Sequence, residues 1–297
     1  MALSKVNPNL ITNGGSRKNL IINGGMTISQ RGDFTTSAAA ANGSFYVDRF
    51  KAVLSAVAGD KQHTTVTIGG VTKRAFKITA TSAATGTVQI KQGVELSGIE
   101  VGETYTISCW MKSNHADARL RNNYIGGTSS DSPTSHTGGG AWEKITWTVD
   151  STSTTADILV YATIYDGANV AIAVGDYIEI TDLQMEKGSV ATDFEHRSFG
   201  EELLLCQRYY YEVPLTGVDG GYGYKGGNAA AHSFNSTGTF AVKMRTTPST
   251  VVSGGTLNGC SALSVNVSKD GYITRVAPSG TGSYRAYEQK ITFSAEL

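Results

Sequence analysis

Proline is scarce in this chain, at 5 of 297 residues, and so is cysteine, at 3. Cys109, Cys206 and Cys260 are odd in number and far apart, which excludes a complete disulfide framework and offers no paired spacing for a zinc site. All three are expected to be reduced, with Cys109 acting as a small core residue. An excess of one charge sign is also missing. Lys plus Arg and Asp plus Glu both total 25, the formal net charge is +0, and no long run of either sign occurs. This argues against nucleic acid as the principal partner, because neutralising phosphates requires clustered Lys and Arg. No stretch approaches the ~20 consecutive apolar residues of a membrane-spanning helix. The N-terminus shows no apolar signal-peptide core, so a soluble chain without membrane insertion is expected. Enzyme signatures are absent as well: there is no Gly-x-Ser-x-Gly elbow, His-Glu-x-x-His helix, phosphate loop or calcium-loop spacing. His63, His115, His136, His196 and His232 fall mostly in expected loops, no two at ligand spacing. The paired carboxylates of glycoside hydrolysis are a spatial arrangement and stay open.

What the chain does have is glycine, 35 residues of it, well above the usual ~7 %, with Ser and Thr crowding the other polar positions. Such a composition reads as short strands joined by glycine-rich turns. The length allows one sizeable core and a second, smaller one. Alternation supplies the strands. Tyr105, Ile107, Cys109 and Met111 alternate with Thr106, Ser108, Trp110 and Lys112, the period of a half-buried strand. Ile145, Trp147 and Val149 form a second such row, and Val88 with Ile90 a short one. Ile158, Val160, Ala162 and Ile164 form another, whose opposite face carries Tyr161, Thr163 and Tyr165. In the stretch Tyr177 to Glu186 the apolar set shifts from Ile178 and Ile180 to Leu183 and Met185, a change of parity that predicts a bulge near Thr181-Asp182. With loops such as Gly126-Gly127 and Gly138-Gly139-Gly140, this is the pattern of a two-sheet sandwich. A helical turn is predicted from Glu201 to about Arg208, with two acidic residues at its N-terminus. Alternation then resumes in Phe240-Val242-Met244, Leu263-Val265-Val267, Tyr272 to Val276, and Ile291 with Phe293, with a turn at Lys269-Asp270-Gly271. The N-terminal Asn9-Leu10-Ile11-Thr12-Asn13-Gly14-Gly15 is echoed by Asn19-Leu20-Ile21-Ile22-Asn23-Gly24-Gly25. The first copy is read as a docking arm and the second as an opening strand.

Four stretches together resemble a module of tailed-bacteriophage tail-fibre and other virion proteins, itself similar to jelly-roll carbohydrate-binding modules. They are Asn19 to Met26 with Gln30-Arg31-Gly32 and Tyr46 to Phe50; Tyr105 to Lys112; Leu183 to Gly188 continuing through Ala191 to Arg197; and Ser198 to Leu203 with Leu205 to Tyr211. The resemblance implies a jelly roll, a virion location after synthesis in the host cytoplasm, and often a trimer. It carries no particular ligand. The chain lacks the extended shaft of longer fibres, which leaves a full fibre, a short tip or a decoration subunit open.

The resulting expectation is an all-β chain: an N-terminal docking arm over 1–18 that engages other virion proteins, a jelly-roll β-sandwich over 19–199, and a smaller C-terminal β domain over 200–297. The apolar rows of that last domain are expected to be covered in a homotrimer. The leading function is a tail fibre or fibre tip that attaches to a host-surface glycan without catalysis. The rivals are an architectural head or tail decoration protein and a polysaccharide depolymerase, the latter disfavoured because no long repeat is visible. Trp110 is the foremost ligand-binding candidate, an exposed ring suited to stacking on a sugar, joined by Tyr161 and Tyr165 from another strand. The competing reading is that a loop or a neighbouring subunit covers this face. Asp182 at the bulge matches the place where similar carbohydrate-binding modules often hold a structural calcium, which needs about six to eight oxygen ligands. Arg31-Gly32-Asp33 is read as a coincidental tripeptide, and Tyr209-Tyr210-Tyr211 as packing residues in the main.

Overall fold

The computed structural model describes residues 18–95, 98–123, 125, 129–152, 158–214, 221–224, 234–279, 284–287 and 289–297. The expected docking arm, apart from Lys18, lies outside the described residues. The chain divides into a first unit ending at Phe199 and a second of Gly200–Glu296.

In the first unit the strands are β1 (Ala38–Ala40), β2 (Lys51–Ser55), β3 (Gly59–Ile68), β4 (Val71–Ala80), β5 (Ala84–Val94), β6 (Thr104–Ser113), β7 (Ala118–Asn123), β8 (Ser129–Ser135), β9 (Trp142–Asp150), β10 (Ile158–Ile164), β11 (Val170–Ile172) and β12 (Tyr177–Lys187). They build two antiparallel sheets. The first runs β1-β3-β4-β12-β6-β9, and the second β11-β5-β10-β7-β8, with β2 also paired to β5. The chain passes from one sheet to the other at most connections, which is how a jelly roll spreads its strands over two layers. Period-two alternation then gives each sheet one apolar face. Tyr105, Ile107, Cys109 and Met111 of β6, and Ile145 and Trp147 of β9, enter a common core with Val88 and Ile90 of β5 and Ile158, Val160, Ala162 and Ile164 of β10. Val88 and Ile90 thus belong to an eleven-residue strand, not a short one.

The predicted bulge is present. The pairing of β12 with β6 slips between Thr181 and Gln184, and Asp182 takes φ 52°. Ile178, Ile180, Leu183 and Met185 are all fully buried as a result; without the extra residue the last two would point outward.

The segment after Lys18 corrects the expectation of an opening strand. Residues 19–25 form bends and turns that run beside the bulge. The Leu20 N–H donates to the Met185 carbonyl (2.8 Å) and the Leu183 N–H to the Gly24 carbonyl (3.0 Å). The Asn19 side chain donates to the Leu183 carbonyl (3.3 Å) and accepts from the Met185 N–H (3.1 Å). Backbone groups that the bulge releases from the ladder are satisfied this way. The other end of the unit closes on the same segment. Glu195 accepts from the N–H groups of Lys18 and Asn19, and Arg197 donates to the carbonyls of Ile21 and Asn19. The last strand stops at Lys187, and Phe194 to Arg197 form a return segment. Arg31 pairs with Asp48, and Asp33 with His63 and Arg74, so both charged residues of the Arg-Gly-Asp tripeptide are engaged within the fold.

The second unit begins with α1 (Phe199–Gln207) and continues with β13 (Tyr210–Pro214), β14 (Gly221–Tyr224), β15 (Phe234–Thr239), β16 (Ser249–Ser253), β17 (Thr256–Asn258), β18 (Cys260–Val267), β19 (Gly271–Pro278), β20 (Tyr284–Tyr287) and β21 (Lys290–Ser294). These form three-stranded sheets β13-β21-β16, β14-β20-β17 and β15-β19-β18. The chain is thus all-β in architecture, a jelly-roll sandwich followed by a smaller β unit. Phe240-Val242-Met244 is not a strand: Phe240 and Met244 reach the core from an irregular segment anchored to the carbonyls of Asp270 and Lys269. They are buried with Ile291, Phe293 and Ala295, and Leu263, Val265 and Val267 pack on the same cluster. Phe240 and Met244 are thus covered within their own unit, whereas Val242, Leu263, Val265 and Val267 stay half-buried. Tyr209 and Tyr210 are buried, and Tyr211 meets Phe240 edge-on at 5.4 Å.

Candidate functional site

The outer face of the first sheet carries a cavity of about 430 Å³. Its walls come from four strands and the return segment. Parity places Ser108 and Trp110 of β6 outward, because Ile107, Cys109 and Met111 point into the core. Lys144 of β9 stands directly opposite Trp110 in the ladder. The bulge of β12 brings Asp182 to the same wall, where its carboxylate accepts from the Lys73 ammonium of β4 at 2.6 Å. Thr192, Asp193, Phe194 and His196 complete the lining. Phe194 and His196 meet edge-on at 5.1 Å.

The return segment is held in place by two buried side chains of β12. The Glu186 carboxylate accepts from the Thr192 N–H (2.9 Å) and hydroxyl (2.7 Å), and Gln184 accepts from the Glu195 N–H (2.9 Å). Burial opposes ionisation of Glu186, but the Thr192 and Gln184 hydrogen bonds together with the Lys18 charge outweigh it and hold the carboxyl below its usual range. Chemically, the cavity combines an aromatic wall with hydroxyls, a carboxylate and ammonium groups. Such a surface can stack on an apolar ring face while hydrogen-bonding its hydroxyls.

The predicted ligand residues are not brought together. Trp110, half-buried, faces this cavity. Tyr161 and Tyr165 belong to the other sheet: Tyr161 is buried on the outer face of β10, its hydroxyl accepting from Asn123 at 2.8 Å, and Tyr165 lies just past β10 with the Arg121 guanidinium 4.4 Å from its ring centre. Sequence parity could place each of them outward but could not say that they are outward on opposite layers. Asp182 does occupy the bulge, where its carboxylate is paired with the Lys73 ammonium, and among the described residues no group of three His, Cys, Asp or Glu stands together. The residues that sequence reasoning missed are Lys73, Lys144, Thr192, Phe194 and His196. The last three stand inside the Ala191 to Arg197 motif, whose sequence gives no sign that it folds back over the sheet.

The fold and cavity define a two-sheet antiparallel sandwich with a polar, aromatic-walled pocket on one outer face. No family model matches the chain, and no curated protein matches it. Among solved structures, the chain is similar to the carbohydrate-binding module TmCBM61 in complex with beta-1,4-galactotriose, with 16 % identity over 58 % of this chain and 100 % of that one and a TM-score of 0.33. It is similar to the CBM22-1 xylan-binding domain from Paenibacillus barcinonensis, with 11 % identity over 54 % and 99 % and a TM-score of 0.35. It is also similar to the enzymatically active domain of bacteriophage CBA120 tailspike protein 4, with 10 % identity over 57 % of this chain and 21 % of that one and a TM-score of 0.34.

Proposed function

We propose that the first unit is a non-catalytic glycan-binding sandwich and that the protein is an attachment component of a bacteriophage particle, a tail fibre or fibre tip. The observation that carries the glycan reading is the cavity beside Trp110, where an aromatic wall and the polar groups of Ser108, Asp182, Lys73 and Thr192 converge. A pyranose offers the complementary chemistry, an apolar C–H face edged by hydroxyls. The particle reading is supported by the four motifs that resemble virion modules, two of which, Asn19 to Met26 and Ala191 to Arg197, pack together, the second of them lining the cavity.

Titration of the full chain with host-surface glycans, followed by tryptophan fluorescence, tests the first part. Trp110→Ala should weaken binding by about tenfold, the ~1.4 kcal/mol expected for a lost aromatic contact, with melting little changed. Retention of full affinity would remove Trp110 from the site. Release of reducing ends from the bound glycan would instead favour the depolymerase. Blocking of phage adsorption by the purified protein tests the particle role, and a protein found on particles that binds no glycan would favour decoration.

A further inference from the structure

The outer face of the second sheet carries a cross-strand row, Lys51 of β2, Lys91 of β5, Tyr161 of β10, Arg121 of β7 and Asp131 of β8, each directly opposite the next in the ladder. At one end the charges match. Arg121 donates to both oxygens of Asp131 (3.0 and 3.1 Å), and in the adjacent row Arg119 pairs with Asp166 at 2.8 Å. At the other end they do not. Lys51 and Lys91 face each other across an antiparallel pair, an arrangement that is itself destabilising, and among the described residues neither has a carboxylate partner. Each ammonium lies near a ring instead, Lys51 over Phe45 at 4.8 Å and Lys91 near Tyr161 at 5.5 Å from the centroid. Burial, and secondarily the charge of Lys51, holds Lys91 below the usual lysine range, as expected for a cation lacking its counter-charge. In the next row, the Thr163 hydroxyl of β10 and the Arg119 Nε are both buried without a hydrogen-bond partner among the described residues. Native folds leave few such groups without a reason.

We infer that this face binds the carboxylate of an acidic polysaccharide, seated between Lys51 and Lys91 beside Tyr161. A carboxylate there would relieve the like-charge pair and accept charge-assisted hydrogen bonds from two ammonium groups. Nucleic acid is the weaker match, because two unmatched cations on a chain of formal net charge +0 cannot track a phosphate backbone. The anion site stands on the lysine geometry alone; its saccharide nature rests on the proposed glycan-binding function.

Affinity electrophoresis of the full chain through polygalacturonate, with dextran as the neutral control and a single-stranded oligonucleotide as the non-saccharide polyanion, tests the inference. Retention by polygalacturonate should weaken with added salt and fall by about tenfold or more in the Lys51→Gln, Lys91→Gln double variant, while Trp110→Ala leaves it unchanged. The double variant should melt at or above the wild-type temperature, because a repulsive pair has been removed. A clear drop in its melting temperature would make the lysines structural supports and overturn the inference. So would an absence of retention, retention indifferent to the double variant, or equal retention by the oligonucleotide. Loss of retention in Trp110→Ala would move the anion to the first sheet's cavity, overturning this site but not glycan binding. Retention by polygalacturonate with no glycan binding at Trp110 would sink the Trp110 site and leave this one.

Discussion

Gly24→Ala should be among the most damaging small substitutions in the first unit. A Cβ built on Gly24 would lie 2.0 Å from the Leu183 carbonyl oxygen, 3.1 Å from its carbon and 3.2 Å from Cε2 of Phe194. A carbonyl oxygen in a bulge cannot yield by a rotamer change, so the 19–25 segment must lift away. Lifting breaks the Leu183-to-Gly24 and Leu20-to-Met185 backbone bonds and strains those of Asn19. Each buried polar group left unsatisfied costs roughly 1–3 kcal/mol; allowing for partial relaxation, a loss of about 3–4 kcal/mol is expected. For a unit of this size each kcal/mol moves Tm by roughly 2–4 °C, so the melting temperature should fall by about 6–16 °C. The assay is urea and thermal unfolding followed by circular dichroism. Gly25→Ala is the control: its Cβ would meet only Phe194 and Thr27 side-chain carbons at 3.5 Å or more, so it should cost under about 1 kcal/mol. If Gly24→Ala melts within about 1 °C of wild type, the segment does not depend on close approach to the bulge and the account of it as a clasp is wrong.

Lys73→Ala strips the nearly buried Asp182 carboxylate of its ion partner and should destabilise the protein by about 3 kcal/mol, with Asp182→Asn restoring most of the loss because Asn tolerates positive φ; urea titration measures both. The Glu186 carboxyl sits below its reference value of 4.5 in the fold, so between the folded and unfolded values the unfolded chain binds more protons, and the stability it contributes is present above about pH 4.5 and lost as pH falls through the folded value. Glu186→Gln should therefore be less stable at neutral pH and show a flatter loss on acidification below that point, and a parallel pair of pH profiles would contradict this. Cys109, Cys206 and Cys260 are all buried and outside any disulfide, and burial pushes the Cys109 thiol well above its ordinary range, so Ellman's reagent should find no rapidly reacting thiol in the native protein and all of them in denaturant.

The fold was most legible where one face of a strand is uniformly apolar. Rows such as Tyr105 to Met111 and Ile158 to Ile164 have a single burial solution, and the parity break between Ile180 and Leu183 forces a bulge at the position observed. The hairpin of β3 and β4 was missed because Lys61 and His63, its inward positions at the open end, are polar, although the Gly69-Gly70 turn with both φ values positive was a legible sign. Phe240-Val242-Met244 misled in the opposite direction. Three alternating apolar residues satisfy strand periodicity, but their backbone is anchored to a turn rather than to a ladder. The Asn19 to Gly25 run reads as strand for a similar reason, and only the demands of the bulge it covers make it a clasp.

The site was legible one residue at a time and not as an assembly. Parity in β6 assigns Trp110 outward from its neighbours alone. Its companions arrive through sheet order, however: Lys73 through the place of β4 beside β12, Lys144 through β9 beside β6, and His196 through a return segment fixed by Glu186. Asp182 shows the cost of reading a position without its layer. Its carboxylate is engaged by the ammonium of a lysine 109 residues earlier in the chain, a partner that no local pattern announces. Tyr161 shows the same limit from the other side, since outward parity with Trp110 says nothing about which of two layers is outward. The distinction is functional. On the two proposals, the outer faces of different character, one polar with an aromatic wall and one with an unmatched lysine pair, would engage neutral and acidic parts of one surface independently, and for that reason Trp110 and the lysine pair must be tested by separate substitutions.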